Sequence, residues 1–187
     1  IRDSSTSRGL GDVYKRQLVY TLNSEGYASQ CVYSLSSQNR IYQFSYSAEG
    51  YLTGIVENID DTEYSSTSLT YENGDITSIS SKMNGLENKF IYEPGEESST
   101  YHLPCLGLLE IHPLTFHIEA LYAGLLGKDP RHFTMHSCPA GSNDEKTVYS
   151  YGFDKKGNPS RMICQTTYAG GQASYYPYTR NISISFE

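Results

Sequence analysis

The stretch Tyr46-Ser-Ala-Glu-Gly50-Tyr-Leu-Thr-Gly-Ile55 decides the fold, because similar phrases recur on both sides of it. The earlier copy is Tyr20-Thr-Leu-Asn-Ser-Glu-Gly26-Tyr-Ala-Ser-Gln-Cys31, and the later copy is Tyr71-Glu-Asn-Gly74-Asp-Ile-Thr-Ser-Ile79. The glycines at positions 26, 50 and 74 are therefore spaced 24 residues apart. A fourth, isolated copy reads Phe153-Asp-Lys-Lys-Gly157-Asn-Pro-Ser-Arg-Met162. This fixed interval indicates a repeated structural unit.

The residues around these glycines predict paired strands. An aromatic strand end, a glycine turn and an alternating strand make a β-hairpin, and glycine suits the turn because the turn needs positive φ. A lone hairpin is marginal in water, so repeated hairpins are expected to pair side by side. The segments 42–47, 148–153 and 182–187 alternate large apolar residues with smaller or polar ones, as half-buried antiparallel strands do. We predict strands near 18–23, 27–34, 40–47, 51–58, 63–71, 75–82, 87–93, 131–137, 146–154, 159–168 and 172–186.

Two stretches depart from the hairpin pattern. Glu93 begins an acidic, Pro- and Gly-containing stretch that reads as a loop. Residues 113–126 predict a helix that Gly127 caps and Pro130 stops. Its apolar residues at helical spacing are Leu114, Ile118, Leu121 and Leu125. The predicted fold is mainly β: an antiparallel hairpin meander curled into a barrel-like sheet, with one helix near 113–126 covering or plugging it. Because the interval 93–145 breaks the rhythm of the repeat, we expect a functional site there first.

Composition limits the class of protein. The chain has 187 residues, a formal net charge of −7 and a pI of about 5.2, which argues against nucleic-acid binding. No apolar run approaches the ~20 residues of a membrane-spanning helix. Residues 18–187 are predicted to form a single β-rich domain. Residues 1–17 resemble a translated sequencing-adapter segment, and the alternative is an ordinary disordered N-terminal arm. We therefore expect the true N-terminus to be missing, together with any signal peptide or lipid anchor.

Cysteine and histidine positions offer candidates for chemistry. The four cysteines, Cys31, Cys105, Cys138 and Cys164, contain no Cys-x-x-Cys pair, and three disulfide connectivities stay open. Cys105 and Cys138 flank the helical segment and could be bridged. His132, His136 and Cys138 would share one face of a strand, and they are the candidate metal ligands, with His102 in a separate loop. Their spacing matches no zinc signature, so polar strand positions are the simpler interpretation, and we expect no cofactor.

Tyrosines are the other candidates, since the chain has 18 of them and no Trp. Tyr175, Tyr176 and Tyr178 cluster near a turn and are the candidate ligand-binding residues, because Tyr is enriched at binding surfaces. Tyr27 and Tyr51 also follow turn glycines. The competing interpretation is that a β-protein without Trp uses Tyr for cross-strand packing.

The order of these motifs resembles a known family. The repeated Tyr-x-x-x-Gly-x-Leu-Thr-x-Ile phrase, then Leu121-Tyr-Ala-Gly-Leu-Leu-Gly127, then the Phe153-Asp-Lys-Lys-Gly157 hairpin resemble the DUF4595 proteins of Bacteroides-type bacteria over about residues 18–187. The resemblance implies a porin-like fold, an unknown function and a secreted or lipid-anchored envelope protein. It therefore implies an extracytoplasmic location: the periplasm, the outer-membrane surface or the medium. The hairpin phrase is also similar to the YD repeats of Rhs-type toxin shells, which run to many more copies.

Three hypotheses about function follow. The first is a non-enzymatic binding or scaffold module of the cell envelope, with a glycan or an envelope protein as partner. The second is an outer-membrane barrel or pore, because period-two alternation is also typical of membrane strands. The third is a metal-dependent hydrolase with a site near His102, His132 and His136.

Overall fold

Eleven strands form one antiparallel sheet in which each strand pairs with the next along the chain. The computed structural model describes residues 17–35, 38–98, 111–142, 145–156, 159–168 and 178–183. The strands are β1 (Gln17–Leu22), β2 (Ala28–Leu35), β3 (Gln38–Tyr46), β4 (Leu52–Ile59), β5 (Thr62–Glu72), β6 (Asp75–Met83), β7 (Leu86–Ser98), β8 (His132–Pro139), β9 (Glu145–Phe153), β10 (Pro159–Tyr168) and β11 (Tyr178–Ser183). The predicted meander is confirmed. Within the described residues β1 and β11 do not pair with each other, so the sheet is open.

The turn glycines adopt the backbone conformation that the repeat predicts. Gly26, Gly50 and Gly74 have φ values of 86°, 91° and 90°. At the turn between β5 and β6, Asn73 also has positive φ, at 53°. Two successive positive φ values are the requirement of a type I′ turn, whose twist matches that of the flanking strands.

The turn between β4 and β5 uses the same conformation without glycine. Asp60 and Asp61 have φ values of 47° and 64°. Asp60 accepts a hydrogen bond from the backbone N–H of Asn39 at 3.3 Å, so its side chain attaches this turn to β3. Asp61 carries the cost of a left-handed conformation, which is about 1 kcal/mol for a residue with a Cβ.

Replacing Asp61 with glycine is therefore expected to raise the free energy of unfolding by about 0.5–1 kcal/mol, after allowing for the extra freedom of glycine in the unfolded chain. Urea unfolding followed by circular dichroism measures the change. The matched variant Asp61→Ala keeps the Cβ and should give no gain. A lower urea midpoint for Asp61→Gly than for the parent chain would contradict the prediction.

β7 extends further than the sequence predicts. The strand continues from Leu86 to Ser98, through the acidic stretch that the sequence analysis interprets as a loop. Its pairing with β8 is irregular between Glu93 and Pro94 and again between Pro94 and Ser98. Proline has no N–H to donate and is tolerated at such irregular positions, so the strand passes the proline without ending there.

The predicted helix is shorter and interrupted. A 3-10 helix covers Leu114–Phe116, and α1 covers only Ile118–Tyr122. His117 lies between them with φ −117° and ψ 27°, outside helical geometry. The helical end is at Gly124, whose φ is 70° and whose N–H donates to the carbonyl of Leu121, and not at Gly127. Local spacing alone could not show that burial of the His117 ring breaks the helix.

Residues 111–124, which we call the covering segment, cover the inward face of the sheet, as predicted. Leu114 and Leu121 are buried in one apolar cluster with Tyr42 and Ile55 of the central strands. The same cluster includes Met162 of β10, so it reaches across most of the sheet. Ile118, expected on the buried side of the helix, is instead 37% exposed. None of the helices in the described part of the chain has the length and hydropathy needed to cross a membrane.

Candidate functional site

The chain that follows α1 crosses the repeated glycine turns at one end of the sheet. We call residues 125–131 the turn strap. The carbonyl of Leu125 accepts from the N–H of Ala28 at 2.7 Å, next to the first turn. Lys128 donates its N–H to Gly50 O at 2.9 Å, and Arg131 donates its N–H to Gly74 O at 3.1 Å.

The spacing of these three contacts matches the spacing of the hairpins across the sheet. Neighbouring strands lie about 4.8 Å apart, so consecutive hairpins are about 9.6 Å apart across the sheet. Three residues of extended chain cover about 10 Å. One two-stranded hairpin therefore matches one three-residue step of the strap, from Leu125 to Lys128 and from Lys128 to Arg131.

Side chains from the preceding unit also pack on two of the turns. A Cβ on Gly50 would lie 3.2 Å from the ring of Tyr27, and a Cβ on Gly74 would lie 2.8 Å from the hydroxyl oxygen of Tyr51. Positive φ therefore favours glycine at both turns, and a Cβ at Gly74 would also require the Tyr51 and Arg131 side chains to shift. Tyr27 packs on Tyr46 with ring centroids 5.3 Å apart, and Tyr51 stacks on Tyr71 at 4.9 Å. The two tyrosines that follow turn glycines thus serve cross-strand packing.

An open cleft of about 680 Å³ lies between the second and third turns. We call it the hairpin-end cleft. It is lined by Ser47, Glu49, Tyr51, Thr53, Leu69, Thr70, Tyr71, Asn73, Gly74, Lys128 and Arg131. Its wall thus combines a stacked tyrosine pair with hydroxyl groups, one amide, one carboxylate and two cations. A hydrogen bond from Ser47, aided by the charge of Lys128, lowers the pKa of Glu49, so this carboxylate is ionised at neutral pH.

A second concentration of polar groups lies under the covering segment. The carboxylate of Glu57 on β4 is completely buried. Its Oε1 accepts from Arg40 Nη1 at 3.0 Å and from the Tyr42 hydroxyl at 3.1 Å. Its Oε2 accepts from Ser65 Oγ at 2.8 Å and is hydrogen bonded to His112 Nε2 at 2.6 Å. We call these five residues the Glu57 cluster.

The Glu57 cluster attaches the covering segment to the sheet. Burial alone would raise the pKa of Glu57, but the hydrogen bonds from His112 and Ser65 outweigh it and leave that pKa below its usual value. Thr67 also donates its hydroxyl to the backbone carbonyl of His112 at 3.0 Å. His112 is therefore held through both its ring and its backbone, which favours a structural role.

His117 is a second histidine of the covering segment, and it is fully buried. Its Nδ1 is hydrogen bonded to the Tyr20 hydroxyl at 2.7 Å, and its ring packs edge-on against Tyr42 and Phe44. Nε2 has no hydrogen-bond partner among the described residues. Burial lowers the pKa of His117 to about 4, so the ring is neutral at pH 7.

The candidate metal ligands lie on β8 but pair with other groups. His132 Nδ1 is 2.8 Å from Asp75 Oδ2, and His136 Nδ1 is 3.1 Å from Glu93 Oε2. Four residues along a strand span about 13 Å, which is too far for both rings to reach one zinc ion. Within the described ranges, no three His, Cys, Asp or Glu side chains form a group that could hold a metal. His102 lies outside these ranges, and the metal site stays a prediction.

The cysteines and the remaining candidates are placed as follows. Cys31 is buried in β2, and Cys138 is partly buried in β8; both carry free thiols. Cys164 is buried in β10. Tyr178 begins β11. Tyr175, Tyr176 and Cys105 lie outside the described residues, so the binding role of the tyrosine cluster stays a prediction. The suggested bridge between Cys105 and Cys138 is wrong, because Cys138 carries a free thiol.

Cys31 is expected to resist alkylation in the folded protein. Burial raises the pKa of its thiol to about 11, so about one thousandth of it is thiolate at pH 8. Iodoacetamide at pH 8, followed by peptide mass spectrometry, should therefore modify Cys138 many times faster than Cys31. Full unfolding in urea should remove the difference. Equal rates in the folded state would contradict this placement of Cys31.

The sequence contained signals for part of this arrangement. Glu57 follows Ile55 by two residues on β4, so the two side chains lie on the same face of the strand. The sequence pattern therefore already places a carboxylate on the apolar face. Lys128 and Arg131 stand three residues apart after the helix, but only the sheet shows what that spacing matches. His112, His117 and the turn strap all fall within the 93–145 interval. Nothing in the sequence pairs His112 with Glu57, since 55 residues separate them.

Comparisons with known proteins agree with this architecture. A comparison with curated proteins gives no match. A crystal structure described as a porin-like protein from Bacteroides uniformis ATCC 8492 superimposes with a TM-score of 0.79 at 28% sequence identity, covering 90% of this chain and 68% of that one. The family model described as a domain of unknown function (DUF4595) with porin-like fold matches residues 2–161. The chain therefore belongs to the DUF4595 family, as its hairpin repeat and covering segment indicate.

Proposed function

We propose that this chain is a non-enzymatic binding module of the bacterial cell envelope and that it binds its partner in the hairpin-end cleft. One observation carries the proposal. The turn strap joins the second and third hairpins through Lys128 N–Gly50 O and Arg131 N–Gly74 O, and it places the side chains of both strap residues on the wall of an open cleft. A surface held this way loses little conformational entropy on binding.

Two of the described histidines serve structure rather than catalysis. His112 is hydrogen bonded through Nε2 to Glu57 and through its backbone carbonyl to Thr67, and His117 is fully buried against Tyr20. A general base must be able to reach a proton on its substrate, so neither of these two rings is placed for that task.

The polarity of the two sheet faces favours a binding module over a pore. A membrane barrel presents apolar residues outward and a polar interior. Here the inward face packs against Leu114 and Leu121, as in a water-soluble core. Most outward positions of β5 and β6 are polar, namely Ser66, Ser68, Thr70, Ser80 and Lys82, whereas β3 and β4 contribute the apolar Ile41 and Val56 beside Gln43 and Ser45. The porin-like description of the family and of the Bacteroides uniformis protein makes a pore the second candidate.

An extracytoplasmic location is part of the proposal. It rests on the porin-like description of the family and on the bacterial source of the matched structure. The periplasm, the outer-membrane surface and the medium all fit a module of this kind.

Cosedimentation with isolated cell envelopes of a Bacteroides-type bacterium tests the proposal. The purified chain should sediment with the envelope fraction, and Tyr51→Ala should reduce the bound fraction about tenfold. Tyr27→Ala is the matched control, because Tyr27 holds the equivalent position one repeat earlier, packed on the next turn glycine but outside the cleft. Thermal melts of both variants show whether the fold is kept.

Two results would overturn the proposal. One is equal sedimentation of the parent chain and Tyr51→Ala. The other is stepwise conductance when the purified chain is added to a planar bilayer, which would instead establish the pore.

A further inference from the structure

We infer that the hairpin-end cleft binds an uncharged carbohydrate chain. The inference rests on the proposed function and names the ligand class of the same cleft. The stacked pair of Tyr51 and Tyr71 supplies a rigid aromatic surface, against which the C–H face of a sugar ring can pack. Tyrosine offers this contact at a low cost in side-chain entropy.

The charges in and around the cleft argue against a polyanionic ligand. Lys128 and Arg131 bring two positive charges, but Glu49 is ionised beside Lys128 and opposes them. The whole chain carries a net charge of −7, so no extended positive field surrounds the cleft. A polyanion such as a nucleic acid or a polyuronate requires such a field, and this surface does not provide it.

The polar groups in the cleft match sugar hydroxyls. A sugar hydroxyl both donates and accepts hydrogen bonds. The cleft provides an acceptor in Glu49, donors in Lys128 and Arg131, and groups of both kinds in Asn73 and Thr53. An acyl chain or an apolar peptide would displace water from the charged Glu49 and Lys128 without offering them hydrogen bonds, which is costly.

The size and shape of the cleft fit a short segment of a chain. A volume of about 680 Å³ falls within the range of about 300–1,000 Å³ that small-ligand sites occupy. The cleft is open and lies along the turn edge of the sheet, so a polymer can enter from the side without threading. We therefore expect the cleft to bind an internal stretch of a polysaccharide, and also to bind the corresponding short oligosaccharide.

Affinity electrophoresis tests the ligand class with the full chain as it stands. The probes are soluble starch, yeast mannan, xylan, barley β-glucan and galactan as neutral polymers, and polygalacturonate as the acidic one. At least one neutral polymer should retard the chain, and calorimetry with its hexasaccharide should give a measurable dissociation constant. Tyr51→Ala should weaken that binding about tenfold, while the Tyr27→Ala control changes it less than twofold.

A second pair of variants avoids any change in the core. Asn73→Gly removes an amide from the cleft and keeps a residue that accepts positive φ, so it should weaken binding about three- to tenfold. Asn84→Gly makes the same change in the other Asn-Gly turn, whose Asn has φ 51°, outside the cleft, and should leave binding unchanged.

The outcomes separate this inference from the proposed function. If no neutral polymer retards the chain, or only polygalacturonate does, while Tyr51-dependent cosedimentation with envelopes persists, the carbohydrate inference is wrong and the binding module stands. If sugar binding is seen but is equal in Asn73→Gly and Asn84→Gly and unaffected by Tyr51→Ala, the sugar binds elsewhere and the inference is also wrong. If cosedimentation and sugar binding both fail, the carbohydrate inference and the proposed function are both wrong.

Discussion

Replacing Glu57 with alanine is expected to lower the free energy of unfolding by about 3 kcal/mol. The carboxylate is fully buried and receives hydrogen bonds from Arg40, Tyr42 and Ser65, besides its contact with His112. Removing it leaves those groups facing a cavity. Breaking a buried charge pair costs about 3–5 kcal/mol. The lower end applies here, because Arg40 and His112 keep 23% and 27% side-chain exposure and can be partly rehydrated.

Urea unfolding measures this loss, and two further variants define its cause. Glu63→Ala removes an exposed glutamate at the start of the neighbouring strand β5 and should change stability by less than about 0.5 kcal/mol. Glu57→Gln keeps the shape and most of the hydrogen-bonding capacity but loses the charge, so it should fall between Glu57→Ala and the parent chain. Equal stability of Glu57→Ala and Glu63→Ala would show that the cluster contributes nothing.

Hydrogen exchange separates the local from the global consequences of Glu57→Ala. His112 joins the covering segment to the sheet, and Glu57 is its ring partner. We therefore expect the amides of residues 114–122 to lose more protection than the central strands do. A uniform loss across the sheet and the covering segment would mean that Glu57 stabilises β4 without attaching the segment above it.

The sheet could be predicted from the sequence because its signals are local. A glycine turn followed by an alternating strand, as at Gly50 or Gly74, specifies a hairpin without reference to distant residues. The helix near 113–126 was predicted less well, because the spacing of Leu114 and Leu121 carries no information about the break at His117. The ring of His117 packs against Tyr42 and Phe44, which lie more than 70 positions earlier, and that tertiary contact overrides the local helical preference.

The candidate site was predictable only in outline. The interval 93–145 was indicated by its break in rhythm, and it contains His112, Lys128 and Arg131. Their partners Glu57, Gly50 and Gly74 belong to hairpins far away in sequence, so a single sequence cannot pair them. The sequence places Tyr51 next to a turn glycine, but it does not show that Lys128 and Arg131 of the strap form the cleft wall beside it. The sequence therefore does not determine which distant residues contact each other in the site.

Lowering the pH from 7 to 4.5 is expected to destabilise the protein by about 2 kcal/mol through His117 alone. In the unfolded chain this histidine takes up a proton near pH 6.5, whereas burial lowers its folded pKa to about 4. Between these values the unfolded state binds more protons than the folded state, so stability falls as pH falls. The loss begins as the pH falls through about 6.5 and levels off only below about pH 4. Each unit of pKa difference contributes about 1.4 kcal/mol.

The variant His117→Asn isolates this contribution. The asparagine amide can replace Nδ1 as the hydrogen-bond partner of Tyr20, and it does not titrate between pH 4 and 7. The variant is expected to be less stable than the parent chain at pH 7, since it loses ring packing against Tyr42 and Phe44. Its stability should nevertheless fall less steeply with acid. Urea unfolding of both chains at pH 7, 6, 5 and 4.5 gives the two slopes.

Glu57, whose pKa is lowered in the folded state, destabilises both chains alike once the pH drops towards 4, so its contribution cancels in the difference between the two slopes. Parallel slopes would mean that the His117 ring becomes protonated as readily in the folded chain as in the unfolded one, and that water reaches Nε2.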